Sequence, residues 1–344
     1  MNYAVLFFSL SCVIVAGSLT LQAQDAPSPG APPWASSATG QTDGDLSTPR
    51  LKVRADLVNV YLSVSDKSGY ITNIQKGGCA IEEDKVPQKI KDFTFEDNLP
   101  LSIGLLLDTS SSQRHVMPFE REAARLFLNH LAMPKDETFL ISFDSNVDLL
   151  ADFSNEPAFI QQAIDHAAFK AGASPAGRSM TGNGAIGGAL LYDALYLAAH
   201  DELQQAAGRR VLLVVTDGND EGSQQDLKSA IAAAQKANTI VYVVLTTDKS
   251  STDRRQAYRA MVEMDRLARS TGGRVIDVGT DQRKLDTAFT QIEHELRAQY
   301  LASYTSTNVR MNLPLRKLSV KCGEGEKVQV QKAYYVLTDE SGDE

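Results

Sequence analysis

"LSIGLLLDTSSS", residues 101–112, sets the fold. Apolar side chains run from Ile103 to Leu107, stop at Asp108, and give way to Thr109, Ser110, Ser111 and Ser112. A short apolar run bounded by small polar residues reads as a buried strand. Such a strand carries one carboxylate and a fan of hydroxyls at its carboxyl end. A helical pattern follows, with Val116, Phe119, Ala123, Leu126, Phe127 and Leu131 at three-to-four spacing.

Outward from this unit the alternation continues. "ETFLISF" (137–143) and "VDLLADF" (147–153) are strands joined by Asp144-Ser145-Asn146, a hairpin. "RRVLLVVTD" (209–217), "TIVYVVLT" (239–246) and "RVIDV" (274–278) are further strands. Helices are predicted over 156–168, from a Gly/Ser-rich loop at about 184 to 206, over 224–237, up to Gly272-Gly273, and over 281–299. Strands alternating with helices imply α/β class: a doubly wound, mostly parallel sheet with helices on both faces.

The flanks differ. In "LKVRADLVNVYLSVSD" (51–66), Val58, Val60, Leu62 and Val64 share one face. "CAIEEDKVPQKIKDFTFED" (79–97) holds two more short strands, and the chain is β again after 300. Neither flank is large enough to bury a core alone. The expectation is that 51–97 and 306–338 pair into one small, all-β, sandwich-like domain into which the α/β domain, 98–305, is inserted.

Of the 344 residues, 34 are Lys or Arg and 43 Asp or Glu, a net charge of −9 with no basic run. That excludes a nucleic-acid interface. Residues 1–23 carry no charged side chain, and "AVLFFSLSCVIVA" (4–16) has the length of a signal-peptide core. Cleavage after Ala23 is expected, the alternative being an uncleaved membrane anchor. Residues 24–50, rich in Pro, Ser, Gly and Ala, read as a flexible linker, and "DESGDE" (339–344) as an acidic tail. The expected location is the periplasm, the envelope or the extracellular space. Cys79 and Cys322 could form one bridge, but nothing local brings their Cα atoms within the required ~7 Å, and two free thiols are the expectation.

In open α/β sheets ligands bind beyond the carboxyl ends of the strands. Two apolar strands end there in Asp, at Asp108 and Asp217. One such Asp is ordinarily a turn or cap residue; two, each followed by small residues, point to a shared site. Asp108, Ser110 and Ser112 alternate, so a loop leaving the strand can turn all three to one point. Carboxylates and hydroxyls are hard donors that suit Mg²⁺, Mn²⁺ or Ca²⁺ and not Zn²⁺. Asp108, at a strand end, is expected to face solvent, and the "DGNDEG" loop (217–222) to form an acidic rim.

Asp-x-Ser-x-Ser after one strand, with Thr216-Asp217-Gly218 after a later one, resembles the metal-ion-dependent adhesion site of von Willebrand factor type A domains. "PLSIGLLLDTS", "GGALLYDALYLA", "GRRVLLVVTDGNDEGS", "STGGRVIDV" and "ELRAQYLASYT" make the longer pattern similar to a secreted bacterial group, the VWFA-related proteins of Acidobacteria. The resemblance implies a Mg²⁺ site of Asp108, Ser110, Ser112 and Asp217 that captures an acidic residue of a protein partner, without catalysis and without a small-molecule substrate. That group tends to carry Gly-Gly-Thr where this chain has Gly187-Gly188-Ala189. Ser179 or Thr181 could replace the hydroxyl, or the site could be weakened. Two other readings stay open: a structural envelope protein with a degenerate site, and a Mg²⁺-dependent hydrolase using Asp108. Against the last, "DTSSS" lacks a second Asp two residues on, and no general base is evident.

Overall fold

The computed structural model describes residues 57–113, 115–131, 133–167, 178–179, 188–247, 253–308 and 314–336. All lie in one compact unit, Arg54–Glu344. The linker, the signal segment and the acidic tail lie outside the described residues.

Among the described residues fifteen strands form three sheets. In chain order they are β1 (Leu57–Ser65), β2 (Ala80–Glu83), β3 (Val86–Gln88), β4 (Ile90–Glu96), β5 (Leu101–Asp108), β6 (Glu137–Phe143), β7 (Val147–Ser154) and β8 (Arg178–Ser179). They continue with β9 (Arg209–Thr216), β10 (Thr239–Leu245), β11 (Val275–Asp277), β12 (Gln299–Thr305), β13 (Leu315–Lys321), β14 (Lys327–Val330) and β15 (Ala333–Tyr335). The helices are α1 (Met117–Leu131), α2 (Pro157–Ala167), α3 (Leu191–Leu197, running on as a π-helical turn, Ala198–Leu203), α4 (Leu227–Lys236), α5 (Arg254–Thr271) and α6 (Gln282–Arg297).

The largest sheet has the order β11-β10-β9-β5-β6-β7-β8. Its first five strands are parallel, and β7 and β8 extend it antiparallel. All eight residues of β5 are buried, as a central strand covered on both faces requires. Ile103, Leu105 and Leu107 pack with α1, α2 and α6. Leu106 packs on the opposite face with α3, α4 and α5. The hydrophobic effect, about 25 cal/mol per Å² of apolar area removed from water, holds the three layers together. Asp226, Asp253 and Asp281 cap α4, α5 and α6 by accepting backbone N–H bonds.

The other two sheets, β14-β1-β12-β4 and β15-β13-β2-β3, are antiparallel. Val58, Val60, Leu62 and Val64 of β1, Tyr300, Ala302 and Tyr304 of β12, Ile81 of β2 and Leu318 and Val320 of β13 share one core. Strands from both flanks pair directly, β1 with β14 and β2 with β13. β12, within the range 98–305, joins this antiparallel core instead of the parallel sheet, pairing with β1 and β4. The change from α/β to β thus falls at the end of α6, before residue 299.

Cys79 and Cys322 form a disulfide, contrary to the expectation of free thiols. The cause is register. Ala80 of β2 pairs with Lys321 of β13, so the next residues outward, Cys79 and Cys322, meet across the strand ends. That pairing spans 243 residues of sequence and is invisible locally.

Candidate metal centre

β5 and β9 are parallel neighbours, in register from Leu101↔Arg209 to Leu107↔Val215. Asp108 and Asp217 therefore reach the same edge of the sheet side by side. Past β5 the chain turns through a single 3₁₀ turn, Ser111–Gln113. This turn folds Ser110 and Ser112 back, with their Oγ atoms 3.0 Å apart. Ser112 Oγ donates to Asp217 Oδ2 at 3.1 Å. Asp108, Ser110, Ser112 and Asp217 are thus brought together.

Asp108 is wholly buried, not solvent-facing as its strand-end position suggested, because the Ser110 turn and the β9 end close over it. Its Oδ1 accepts from Ser110 N–H at 3.0 Å and its Oδ2 from the Thr216 hydroxyl at 2.6 Å. Burial, then the nearby Asp217 charge, pushes its carboxyl up to about 7, against the bonds from Ser110 and Thr216 that favour the anion. Thr216 Oγ1 in turn accepts from Gly218 N–H at 3.0 Å. Gly218 has φ +80°, and a Cβ there would press on Leu245, Met264 and Ala260 at 3.1–3.3 Å. The Thr-Asp-Gly turn accordingly needs glycine.

Two further buried side chains stand close by. Gln113, 2% exposed, donates through Nε2 to Asp217 Oδ2 at 2.6 Å and to Ser112 Oγ at 3.2 Å. Glu120 of α1, 1% exposed, accepts from the Thr246 hydroxyl at 2.7 Å. Its Oε2 has no hydrogen-bond partner among the described residues. Burial, and next the Asp108 charge, holds the Glu120 carboxyl well above the usual range. The signal was present: Glu120 lies at i+4 from Val116 and i−3 from Ala123, inside the apolar stripe of α1.

The loop expected to form an acidic rim is partly structural. Asp220 Oδ1 accepts from Tyr192 N–H and the Ser223 hydroxyl, tying the β9 exit to the start of α3. Asp193 answers by accepting from Gln224 and Gln225 N–H. Ala189, where the resemblance led to a Thr, exchanges two backbone bonds with Glu221. Gly188 beside it allows that approach, since a Cβ there would collide with the Glu221 carbonyl oxygen. Ser179, in β8, pairs with Asp148 of β7. β8 stands three strand spacings from β5, about 14 Å at ~4.8 Å per strand. Thr181 lies outside the described residues.

The donor set fits a small divalent cation. Adjacent corners of an octahedron with bonds of about 2.1 Å are about 3.0 Å apart. The Ser110–Ser112 and Ser112–Asp217 oxygen pairs stand at 3.0 and 3.1 Å. Among the described residues no three carboxylate, imidazole or thiol side chains converge as a ligand set. The cluster instead mixes two carboxylates with hydroxyls, and among the described residues neither Asp108, Asp217 nor Glu120 has an ion-pair partner.

Residues 103–219 match the family model of the von Willebrand factor type A domain. The chain carries a von Willebrand factor type A (VWA) domain. No curated protein sequence matches. Among solved structures, the chain is similar to BatB from Bacteroides thetaiotaomicron, at 14% identity and TM-score 0.43 over 58% of this chain and 100% of that one. It is similar to the PilB minor pilin from Streptococcus sanguinis, at 14% identity and TM-score 0.41, over 58% and 61%. A third similar structure is proximal thread matrix protein 1 from the mussel byssus with a zinc-occupied MIDAS motif, at 13% identity and TM-score 0.42, over 62% and 49%. The chain thus spans under two thirds of the pilin and about half of the mussel protein.

Proposed function

We propose that this VWA protein is a non-enzymatic binding module. It captures an acidic group of a protein partner through a divalent cation, Mg²⁺ foremost and Mn²⁺ or Ca²⁺ as alternatives, held by Asp108, Ser110, Ser112 and Asp217. The observation that carries this reading is the set of buried carboxylates at the sheet edge with hydroxyls on octahedral spacing and no Lys or Arg partner among the described residues. Buried carboxylates without a counter-ion are costly, and a cation held by this ligand set would neutralise them. When bound, such an ion offers an exchangeable position electrophilic toward a carboxylate. Ser112 is the exposed member and marks the entrance.

A hydrolase using Asp108 as nucleophile is disfavoured by geometry: the carboxylate is wholly buried and both of its oxygens are engaged. A degenerate site is disfavoured by the convergence of all four ligand residues. Work outside the cytoplasm, in the periplasm, the envelope or the extracellular space, is supported by the Cys79–Cys322 disulfide. Among the described residues no helix is long and apolar enough to cross a membrane.

The test is thermal unfolding of the full chain in Mg²⁺ or Mn²⁺ against EDTA. Metal at a hundredfold excess over Kd should stabilise it by about 2.7 kcal/mol. Identical curves at millimolar metal overturn the metal reading. Partner capture from the source envelope that survives EDTA overturns the adhesion reading alone.

A further inference from the structure

Gln113 follows directly on the Asp-x-Ser-x-Ser ligands, and its carboxamide is committed to two of the site's oxygens. Nε2 stands 2.6 Å from Asp217 Oδ2 and 3.2 Å from Ser112 Oγ. Those two oxygens are themselves 3.1 Å apart, so a single amide nitrogen bridges one edge of the ligand set. An amide N–H₂ group is a donor with no lone pair for a cation. The amide in this position and an ion coordinated along the same edge exclude one another. Gln113 is 2% exposed whereas Ser112 is exposed, so the amide lies beneath the entrance, on the inner side of the site.

The remaining bonds of Gln113 show how it would leave. Its backbone is fixed in the turn, with N–H donating to Ser110 O at 3.0 Å and C=O accepting from Val116 N–H at 2.9 Å. Departure is therefore a side-chain rotation, with no movement of the loop that carries the serines. The far end of the amide is loosely held: Thr246 Oγ1 lies 3.5 Å from Gln113 Oε1, while its one proton is directed to Glu120 Oε1 at 2.7 Å. The strong hold on the carboxamide is Asp217 itself, the group a cation would claim.

We infer that Gln113 is a built-in competitor for the cation. Its carboxamide holds Asp217 and Ser112 in the metal-free protein and must rotate off them before an ion can be bound. This rests on the metal reading above and assigns this residue a role in setting the site's affinity. A hydrogen bond to an ionised carboxylate, lost on metal binding, weakens that binding by roughly tenfold or more. The competitor is neutral and leaves no charge behind, so the metal-free site is stabilised without being blocked permanently.

The experiment titrates Mn²⁺ and Mg²⁺ into the full chain and into Gln113→Leu by calorimetry, with thermal unfolding in EDTA and in metal alongside. Gln113→Leu should bind Mn²⁺ roughly tenfold more tightly and melt at lower temperature in EDTA while its curve in saturating metal stays where the wild type's is, so its metal-induced shift widens from the EDTA side. A residue with only a packing role would lower both melting curves together and leave the Mn²⁺ affinity unchanged, which overturns the inference. Weaker binding by the variant overturns it too, since the amide oxygen would then be a ligand. If Gln113→Leu does not fold in EDTA, Gln113→Met, flexible and closer in shape, carries the same comparison. Wild type that binds metal with variants no tighter refutes this inference alone. Failure of wild type and variants alike to bind refutes the metal site with it.

Discussion

Two regions of the molecule bury carboxylates, and they treat the charge differently. Where the antiparallel sheets meet the α/β layers, Glu295 of α6, 1% exposed, accepts from Tyr70, Tyr242 and Gln329 and lies 3.0 Å from Arg274. Asp136 is paired with Arg297, and Glu83 faces Arg316. At the carboxyl edge of the parallel sheet, Asp108, Asp217 and Glu120 are as deeply placed, yet their partners among the described residues are hydroxyls, an amide and backbone N–H groups. Glu295, Asp136 and Glu83 stand beside their own cations; Asp108, Asp217 and Glu120 have none among the described residues.

The largest effect should come from breaking neutrality where it exists. Arg274→Met leaves Glu295 buried with neutral hydrogen-bond donors and, beyond them, the buried Arg209 cation. Removing one partner of a buried pair costs about 3–5 kcal/mol. Arg274 is partly exposed and its contact is an ion pair, not an aligned hydrogen bond, which favours the lower end. Urea unfolding should show a loss of about 3 kcal/mol, insensitive to metal. A loss below about 1 kcal/mol, the range of an exposed pair, would erase the contrast between the regions.

At the sheet edge the sign should invert. Asp108→Asn removes an uncompensated charge and keeps the shape. Between about pH 4 and 7 the folded Asp108 retains its proton while the unfolded chain has lost it. Wild type in EDTA therefore loses stability as pH rises through that window and levels off above it. Asp108→Asn should flatten this component, stand about 1 kcal/mol or more above wild type at pH 8 in EDTA, and lose the Mg²⁺-induced shift. Equal slopes with pH for the two proteins would show that Asp108 is not held protonated.

The sequence made the parallel layers legible because β5, β9 and β10 are continuous apolar runs and the helices between them are periodic. That Asp108 and Asp217 reach one edge of the sheet was legible for the same reason, since a buried strand fixes what stands at its tip. Long-range register was not. Cys79 meets Cys322 through the β2–β13 pairing, and β12 turns from the α/β layer into the β core, neither of which has a local signature. Gln113 and Glu120 escaped because their meaning lies in what they face: Asp217 for one, Thr246 for the other. The exposure expected for Asp108 failed because a strand end is open only if the following turn leaves it so, and here the Ser110 turn closes.

The smallest effect concerns whether Glu120 belongs to the proposed metal site or lies behind it. Among the described residues Thr246 links the two, 2.7 Å from Glu120 and 3.5 Å from Gln113. The first is a hydrogen bond; the second is at the limit of one and falls off steeply in strength. Thr246→Val keeps the side-chain shape, removes the donor to Glu120 and should cost about 1 kcal/mol in EDTA. Combined with Gln113→Leu, the two losses should add to within about 0.5 kcal/mol, as expected of side chains without a shared strong bond. Denaturant unfolding of wild type, both single variants and the double variant closes the cycle. A coupling clearly above that figure would make Asp217, Gln113, Thr246 and Glu120 one network, and the region lacking its own counter-ion would extend from the entrance at Ser112 into α1.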